Sequence, residues 1–436
     1  MARFGAVALI ALAVGASMGG APAHAAAPPA PAGPIKHVVI LYQENHSFDQ
    51  VLGEFCALAH RCDGSIAPAR MADGTVVAPS VSPDIVPPVV HDLTSQQQAL
   101  ANEWDLIGGC GAPTYLCMTY FTPRQVPSIS ALASHFALAD HAFQSTDAPS
   151  WGARVEVVAG TLDGFNGDNP IRGTGYGWGC ETQKLVPYGP TQVWVPSCVP
   201  DYSLGLPNGG AFEPTPAAYV PTIMDRLDAA SLPWRIYAPS KTTPLGGYFW
   251  NICPIFSECL HTAQSQHVYQ TSQLLLDAKA GTLPAWSMVI PTPSISQHNG
   301  HSMARGDNWI NQAVSAIEQG PNWKSTAIFI TWDDCGCFYD HVAPPSGDGI
   351  RAPMVIVSPF SRAAFTDTTP TTVAGGLLAF VEHTFGLAPL TNVDANAYDF
   401  HNSFNYSQPP LPAPPLPSLQ PITSTDSVLA DPNDPT

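Results

Sequence analysis

Apolar and polar positions along this chain fall into short unbroken apolar runs separated by stretches of helical period. The runs at 38–42, 286–290, 327–332 and 354–357 have the length and β-branched content of strands buried on both faces. Residues 129–136, 151–159, 309–318 and 377–385 carry apolar side chains three and four apart and read as helices. Strands alternating with helices predict an α/β fold, a doubly wound central sheet flanked by helices.

Two of these runs stop abruptly in acids and amides. The first leads into Glu44-Asn45-His46-Ser47-Phe48-Asp49, the second into Asp333-Asp334-Cys335-Gly336-Cys337. In open α/β sheets ligands gather at the carboxyl edge of the strands. A strand-to-helix turn with an Asn cap suits the first cluster alone, and a solvated acidic turn suits the second. Two adjacent Asp repel unless a cation or hydrogen bonds compensate. Hard oxygen ligands from Glu44, Asn45, Asp333 and Asp334 would form a site for one divalent cation, Mg²⁺, Ca²⁺, Mn²⁺ or Zn²⁺.

A third element is Ala148-Pro149-Ser150-Trp151-Gly152-Ala153-Arg154, at the start of the helix over 151–159. A Ser hydroxyl among free N–H groups at the positive end of a helix suits a nucleophile that accepts a phosphoryl group. It also suits a plain N-cap. Arg154, one turn on, can face the same anion. Histidines complete the polar inventory: His91 in a polar stretch, His298 and His301 before the helix over 309–318, and His341 after the Asp pair. Such rings bind phosphoryl oxygens, ligate metal or protonate a leaving alkoxide, although a lone His is more often structural.

Composition narrows the class. The 436 residues hold 16 Lys plus Arg against 34 Asp plus Glu, a formal net charge of −18. That argues against nucleic acid as a partner and against an anionic membrane surface. The first 25 residues, with Arg3, an apolar run and Ala23-His24-Ala25, read as a signal peptide; residues 26–34 are a Pro/Ala spacer. No later stretch is long and apolar enough for a transmembrane helix, so a secreted or periplasmic protein is expected. The ten cysteines fall into five local pairs, 56/62, 110/117, 180/198, 253/259 and 335/337, expected as disulfides with the last ring the tightest. Residues 165–220 form a loop-rich, Trp- and Tyr-rich insert able to wall a substrate cleft, and 406–436 a Pro-rich, extended and poorly ordered tail.

The stretches 35–53 (IKHVVILYQENHSFDQVLG), 127–161, 297–310 (QHNGHSMARGDNWI), 323–345 (WKSTAIFITWDDCGCFYDHVAPP), 350–362 and 380–387, in this order, resemble the bacterial phosphoesterase family that contains secreted phospholipases C and an acid phosphatase group. The resemblance implies an alkaline-phosphatase-like α/β sandwich over 35–405. It implies Glu44, Asn45, Asp333 and Asp334 as metal ligands, and Ser150 as a nucleophile that also touches the metal. His298 matches a histidine of the catalytic site, and His91 an oxyanion-binding one. The implied reaction is metal-dependent hydrolysis of a phosphate monoester or a phospholipid through a phosphoserine.

The sequence departs from the family pattern at Gly152-Ala153, where Pro-Asn precedes the Arg, and at Val373-Ala374-Gly375-Gly376, where Asp-His-Thr-Ser is usual. The large C-terminal domains of the haemolytic phospholipases have no counterpart after about 405. The two alanines favour an alternative, a secreted binding or cell-surface protein that keeps the fold with weakened catalysis. Oligomeric state is not legible.

Overall fold

The computed structural model describes Met1 and residues 33–210, 215–243 and 246–423. The signal-peptide expectation, most of the spacer and the end of the tail lie outside the described residues. Eight strands build the central sheet: β1 (His37–Gln43), β2 (Ala137–Ala139), β3 (Trp234–Tyr237), β4 (Val268–Tyr269), β5 (Trp286–Val289), β6 (Thr326–Trp332), β7 (Met354–Val357) and β8 (Thr366–Asp367). Their order is β4-β3-β5-β1-β6-β7-β2-β8. β1 runs parallel to both β5 and β6, and β7 runs antiparallel to β6. The four apolar runs are thus the four adjacent central strands, covered on both faces as their composition requires.

Alternation along β1 divides the core. Val38, Ile40 and Tyr42 enter one hydrophobic cluster, with Trp151, Val155, Leu377 and Phe380. Val39 and Leu41 enter the other, with Phe48, Ile129, Trp309 and Ile310. Helices α3 (Ser150–Ala159) and α5 (Val373–Phe385) therefore cover the first face. Helices α1 (Phe48–Ala59), α2 (Pro127–His135) and α4 (Met303–Glu318) cover the second. All four helices read from the sequence are present, with α4 beginning six residues and α5 four residues before the expected starts at 309 and 377.

The parallel register of β1 and β6 does the positional work for the site. Gln43 is the partner of Trp332, and the Asp333 N–H donates to Gln43 O at 3.1 Å. Glu44 and Asp333 consequently leave the sheet side by side at its carboxyl edge.

Three features outside the sheet refine the expectations. The insert contains a hairpin, Leu185–Tyr188 with Val193–Pro196, and otherwise turns. The described tail residues, 407–423, are extended but docked rather than loose. Leu411 N–H donates to Pro359 O at 2.7 Å, and Gln420 bonds Asn308, Gln125 and Asp307 at 2.7, 3.0 and 3.2 Å. Four cysteine pairs are bonded, Cys56–Cys62, Cys110–Cys117, Cys180–Cys198 and Cys253–Cys259. The fifth is not: Cys335 and Cys337 are free and buried. Closing a ring across one residue strains disulfide geometry, and the Cys335 thiol is used otherwise. It donates to Gln96 Oε1 at 3.1 Å and accepts the Cys337 N–H at 3.2 Å.

Candidate active site

Each polar group at the carboxyl edge is delivered by an element that has just ended. Asn45, one residue past Glu44, adopts φ of +58°, a left-handed conformation that Asn tolerates better than most residues. Gly336, at φ +56°, packs against it: a Cβ there would lie 2.3 Å from Asn45 O, so only glycine fits. Ser150 is the first residue of α3, and Pro149 holds the cap position. The Ser150 hydroxyl is therefore not a cap. It lies 3.3 Å from Asp334 Oδ2 and 3.4 Å from Asn45 Oδ1.

Two histidines orient the Asn45 amide. His91 Nδ1–H donates to Val89 O at 3.0 Å, and His298 Nδ1–H to Asn299 O at 2.9 Å. A carbonyl on Nδ1 leaves Nε2 bare. The two bare nitrogens lie 2.6 and 3.0 Å from the Asn45 amide nitrogen, one for each of its protons. The amide oxygen then faces Asp333 Oδ1 at 2.8 Å and Asp334 Oδ2 at 3.2 Å. Reversing the amide would satisfy the carboxylates but would require protons on both Nε2 atoms, against the carbonyls that fix the tautomers. Oxygens facing one another in this way are what a cation reconciles. Ligand oxygens bound to one cation at about 2.0–2.5 Å lie roughly 2.8–3.5 Å apart, which matches the 2.8, 3.2, 3.3 and 3.4 Å separations found here.

Charge points the same way. Glu44, Asp333, Asp334 and Arg154 are all buried. Arg154 pairs through Nη2 with Glu44 Oε1 and through Nη1 with Asp333 Oδ2, the latter at 3.1 Å. Its Nε donates to Trp250 O at 2.9 Å and Nη1 to Ser150 O at 2.7 Å. Three carboxylates against one guanidinium leave an excess of two negative charges, the amount a divalent ion balances. Burial, then the neighbouring Asp333, pushes the Glu44 carboxyl well above its ordinary range, with Arg154 opposing. Glu44 Oε2 is buried without a hydrogen-bond partner. Burial, followed by Asp333, likewise raises Asp334. A divalent cation held by Glu44 Oε2, Asn45 Oδ1, Asp333, Asp334 and Ser150 Oγ fits this donor set.

The remaining candidates are placed differently. Arg154 faces inward to carboxylates, one turn from Ser150, instead of outward to an anion. His301 is buried beside His298, with ring centroids 6.2 Å apart. His341 joins another cluster: its Nδ1 lies 2.6 Å from Asp49 Oδ2 and its Nε2 3.1 Å from Asp63 Oδ1. Asp49, Asp340 and His341 are close enough to share an ion. The Arg351 guanidinium already bonds Asp49 at 3.2 Å and Asp340 at 2.9 Å, which supplies the positive charge there.

Trp250, absent from the sequence reading, packs its ring 5.4 Å from His298 and 5.7 Å from the Arg154 guanidinium. It ends the short aromatic run Tyr248-Phe249-Trp250, with no pattern that would single it out. Ala153 and Ala374, the two departures from the family pattern, line one small cavity with Tyr42, Glu156 and Asp333.

The arrangement sets a serine hydroxyl at a helix start beside buried carboxylates at the carboxyl edge of a parallel sheet. The chain belongs to the phosphoesterase family, whose model matches residues 35–388. It is 24% identical over 75% of its length to non-specific phospholipase C4 of Arabidopsis thaliana, covering 58% of that protein. It is 26% identical over 88% of its length to non-hemolytic phospholipase C of Burkholderia pseudomallei, covering 61% of it. The chain thus spans about three fifths of these relatives. Among solved structures, a protein of the alkaline phosphatase superfamily from Vibrio parahaemolyticus is similar over 81% of this chain and 68% of that one, at 11% identity. Its TM-score of 0.37 is too low to transfer a site or a function.

Proposed function

We propose that this protein is an exported phospholipase C-type hydrolase that cleaves a phosphate ester through a phosphoserine at Ser150. The observation that carries the proposal is that Asn45 and Asp334 face the Ser150 hydroxyl within a buried cluster where Glu44, Asp333 and Asp334 are set against the single guanidinium of Arg154. When bound, a divalent cation supplies a lowered hydroxyl pKa and charge neutralisation at a phosphoryl oxygen.

The chain's own residues do the rest. Asp334 Oδ2 accepts the Ser150 hydroxyl proton and aims the oxygen's lone pairs. Ser150 Oγ forms the new bond to phosphorus as the bond from phosphorus to the glycerol oxygen breaks, and that oxygen leaves as the diacylglycerol hydroxyl with a proton taken from water. Asn45, braced by His91 and His298, keeps its carbonyl turned inward throughout. Arg154 holds Glu44 and Asp333 in place against their mutual repulsion. The hydroxide so formed then attacks the phosphoserine, Asp334 returns its proton to Ser150 Oγ, and the phosphorylated head group is released.

Phospholipid, rather than a simple phosphomonoester, is the preferred substrate because the relatives to which the chain is similar are phospholipases C. Four disulfides support a workplace outside the cytoplasm. Among the described residues no helix is long and apolar enough to cross a membrane. The test is release of p-nitrophenol from p-nitrophenyl phosphorylcholine and from p-nitrophenyl phosphate, with and without EDTA. Chelation should stop turnover and added divalent metal restore it; turnover indifferent to EDTA refutes the metal site.

A further inference from the structure

The loop-rich insert and the segment 240–250 meet in a cluster that the reaction at Ser150 does not use. Tyr176 and Tyr248 stack with ring centroids 5.8 Å apart and planes within 21°. Glu181, only 13% exposed, lies against Tyr248. Gly177, at φ +117°, allows this approach: a Cβ there would lie 2.8 Å from Glu181 Oε1 and 3.1 Å from Tyr248 Cε1. Burial pushes the Glu181 carboxyl above its ordinary range, a penalty that a nearby cation relieves.

An ammonium is already seated there. Lys241 Nζ lies 5.3 Å from the Tyr248 ring centroid and 3.9 Å from Glu181 Oε1. The second distance is that of an ion pair without a hydrogen bond. The Lys241 side chain is itself 53% exposed. An aromatic face and a carboxylate around a weakly held ammonium are the elements that recognise organic ammonium ions.

The cluster is wired to the catalytic edge from both sides. Tyr248 to Trp250 is a single 3-10 turn, and the Trp250 ring packs on His298. Trp178, two residues from Tyr176, accepts the Trp151 indole N–H through its carbonyl at 2.9 Å, next to Ser150.

We infer that Glu181, Tyr248 and Tyr176 form a subsite for the ammonium of a phospholipid head group, with Lys241 occupying it until substrate displaces it. This rests on the phosphoesterase reading of the Ser150 site and adds the selectivity for head-group charge. A plain loop-fixing ion pair uses the same atoms but predicts opposite behaviour on loss of Lys241.

The experiment compares p-nitrophenyl phosphorylcholine with p-nitrophenyl phosphate in wild type, Glu181→Gln and Lys241→Ala, alongside calorimetric titration with choline chloride. Glu181→Gln should lower the preference for the choline ester, read as a KM ratio, by about tenfold and weaken choline binding equally. Lys241→Ala should strengthen both. Equal loss on both substrates in Glu181→Gln, or a weaker choline affinity in Lys241→Ala, overturns the subsite. If wild type hydrolyses neither ester, the catalytic reading fails, and choline titration still decides the subsite: binding that Glu181→Gln abolishes upholds it, and no binding refutes it.

Discussion

The Nε2 atom of His91 lies 2.6 Å from the amide nitrogen of Asn45, although neither residue touches the other's chain segment in sequence. The contact fixes the orientation of a buried amide, because it consumes a donor and leaves the carbonyl facing Asp333 and Asp334. Outer groups of this kind typically change metal affinity by about 10–100-fold. His91→Ala should therefore weaken metal binding by that factor while leaving all direct ligands in place. Competition with a chromogenic chelator measures it, and an unchanged affinity would separate His91 from the site.

Ser150→Ala should abolish turnover with little effect on thermal stability, since Pro149, not Ser150, occupies the cap position of α3. Loss of a covalent nucleophile costs several orders of magnitude in kcat. Retention of more than about a tenth of the activity would assign Ser150 a structural role.

Asp333→Asn with Asp334→Asn should remove both metal and activity. The double change leaves Glu44 and Arg154 as a neutral pair and takes away the excess negative charge. Elemental analysis of wild type and variant gives the answer; equal metal content in the two would remove these carboxylates from the binding site.

Glu318, at the end of α4, carries a carboxyl that burial raises from 4.5 to about 8. A raised folded-state pKa means that the folded protein binds the proton more tightly than the unfolded chain. This stabilisation is complete below about pH 4.5 and is lost as pH rises to about 8. Glu318→Gln should thus be near neutral at low pH and gain stability with rising pH, on the order of 1–3 kcal/mol by the alkaline end. Urea denaturation of both proteins across this range tests the sign, and a gap that narrows with pH would contradict it.

Thiol titration should find no reactive cysteine in the native protein and two after unfolding without reductant, since Cys335 and Cys337 are free and buried. Peptide mapping should place both labels there. Complete absence of thiols after unfolding would restore the fifth disulfide.

The parts of the site that were legible in the sequence are those carried by abrupt local transitions. The apolar runs ending at Glu44 and at Asp333 announce strand ends, and a shared sheet edge follows from strand parallelism. Ser150 was legible as a helix start. Long-range convergence was not: His91 and His298 each sit in ordinary polar stretches, and only folding sets both on Asn45. Arg154 lies one turn from Ser150, a spacing compatible with facing either an anion outside or carboxylates within; three buried acids decide for the second. His341 follows the Asp pair closely, yet the turn at Gly336 and Cys337 sends it toward Asp49. The cysteine count implied five rings because pairing was judged by proximity, which takes no account of the hydrogen bonds open to the Cys335 thiol.

The strap formed by residues 407–423 ties together two helices that lie far from it in sequence. Gln420 joins Gln125, just before α2, to Asp307 and Asn308 in α4, segments nearly two hundred positions apart. The seam between these helices closes on its own contacts, the Ser128 and Ile129 N–H groups donating to Asp307 and the Asn311 amide to the Ser128 hydroxyl, so Gln420 latches a joint that is already made. Loss of the strap would therefore expose the outer rim of the joint without parting the two helices.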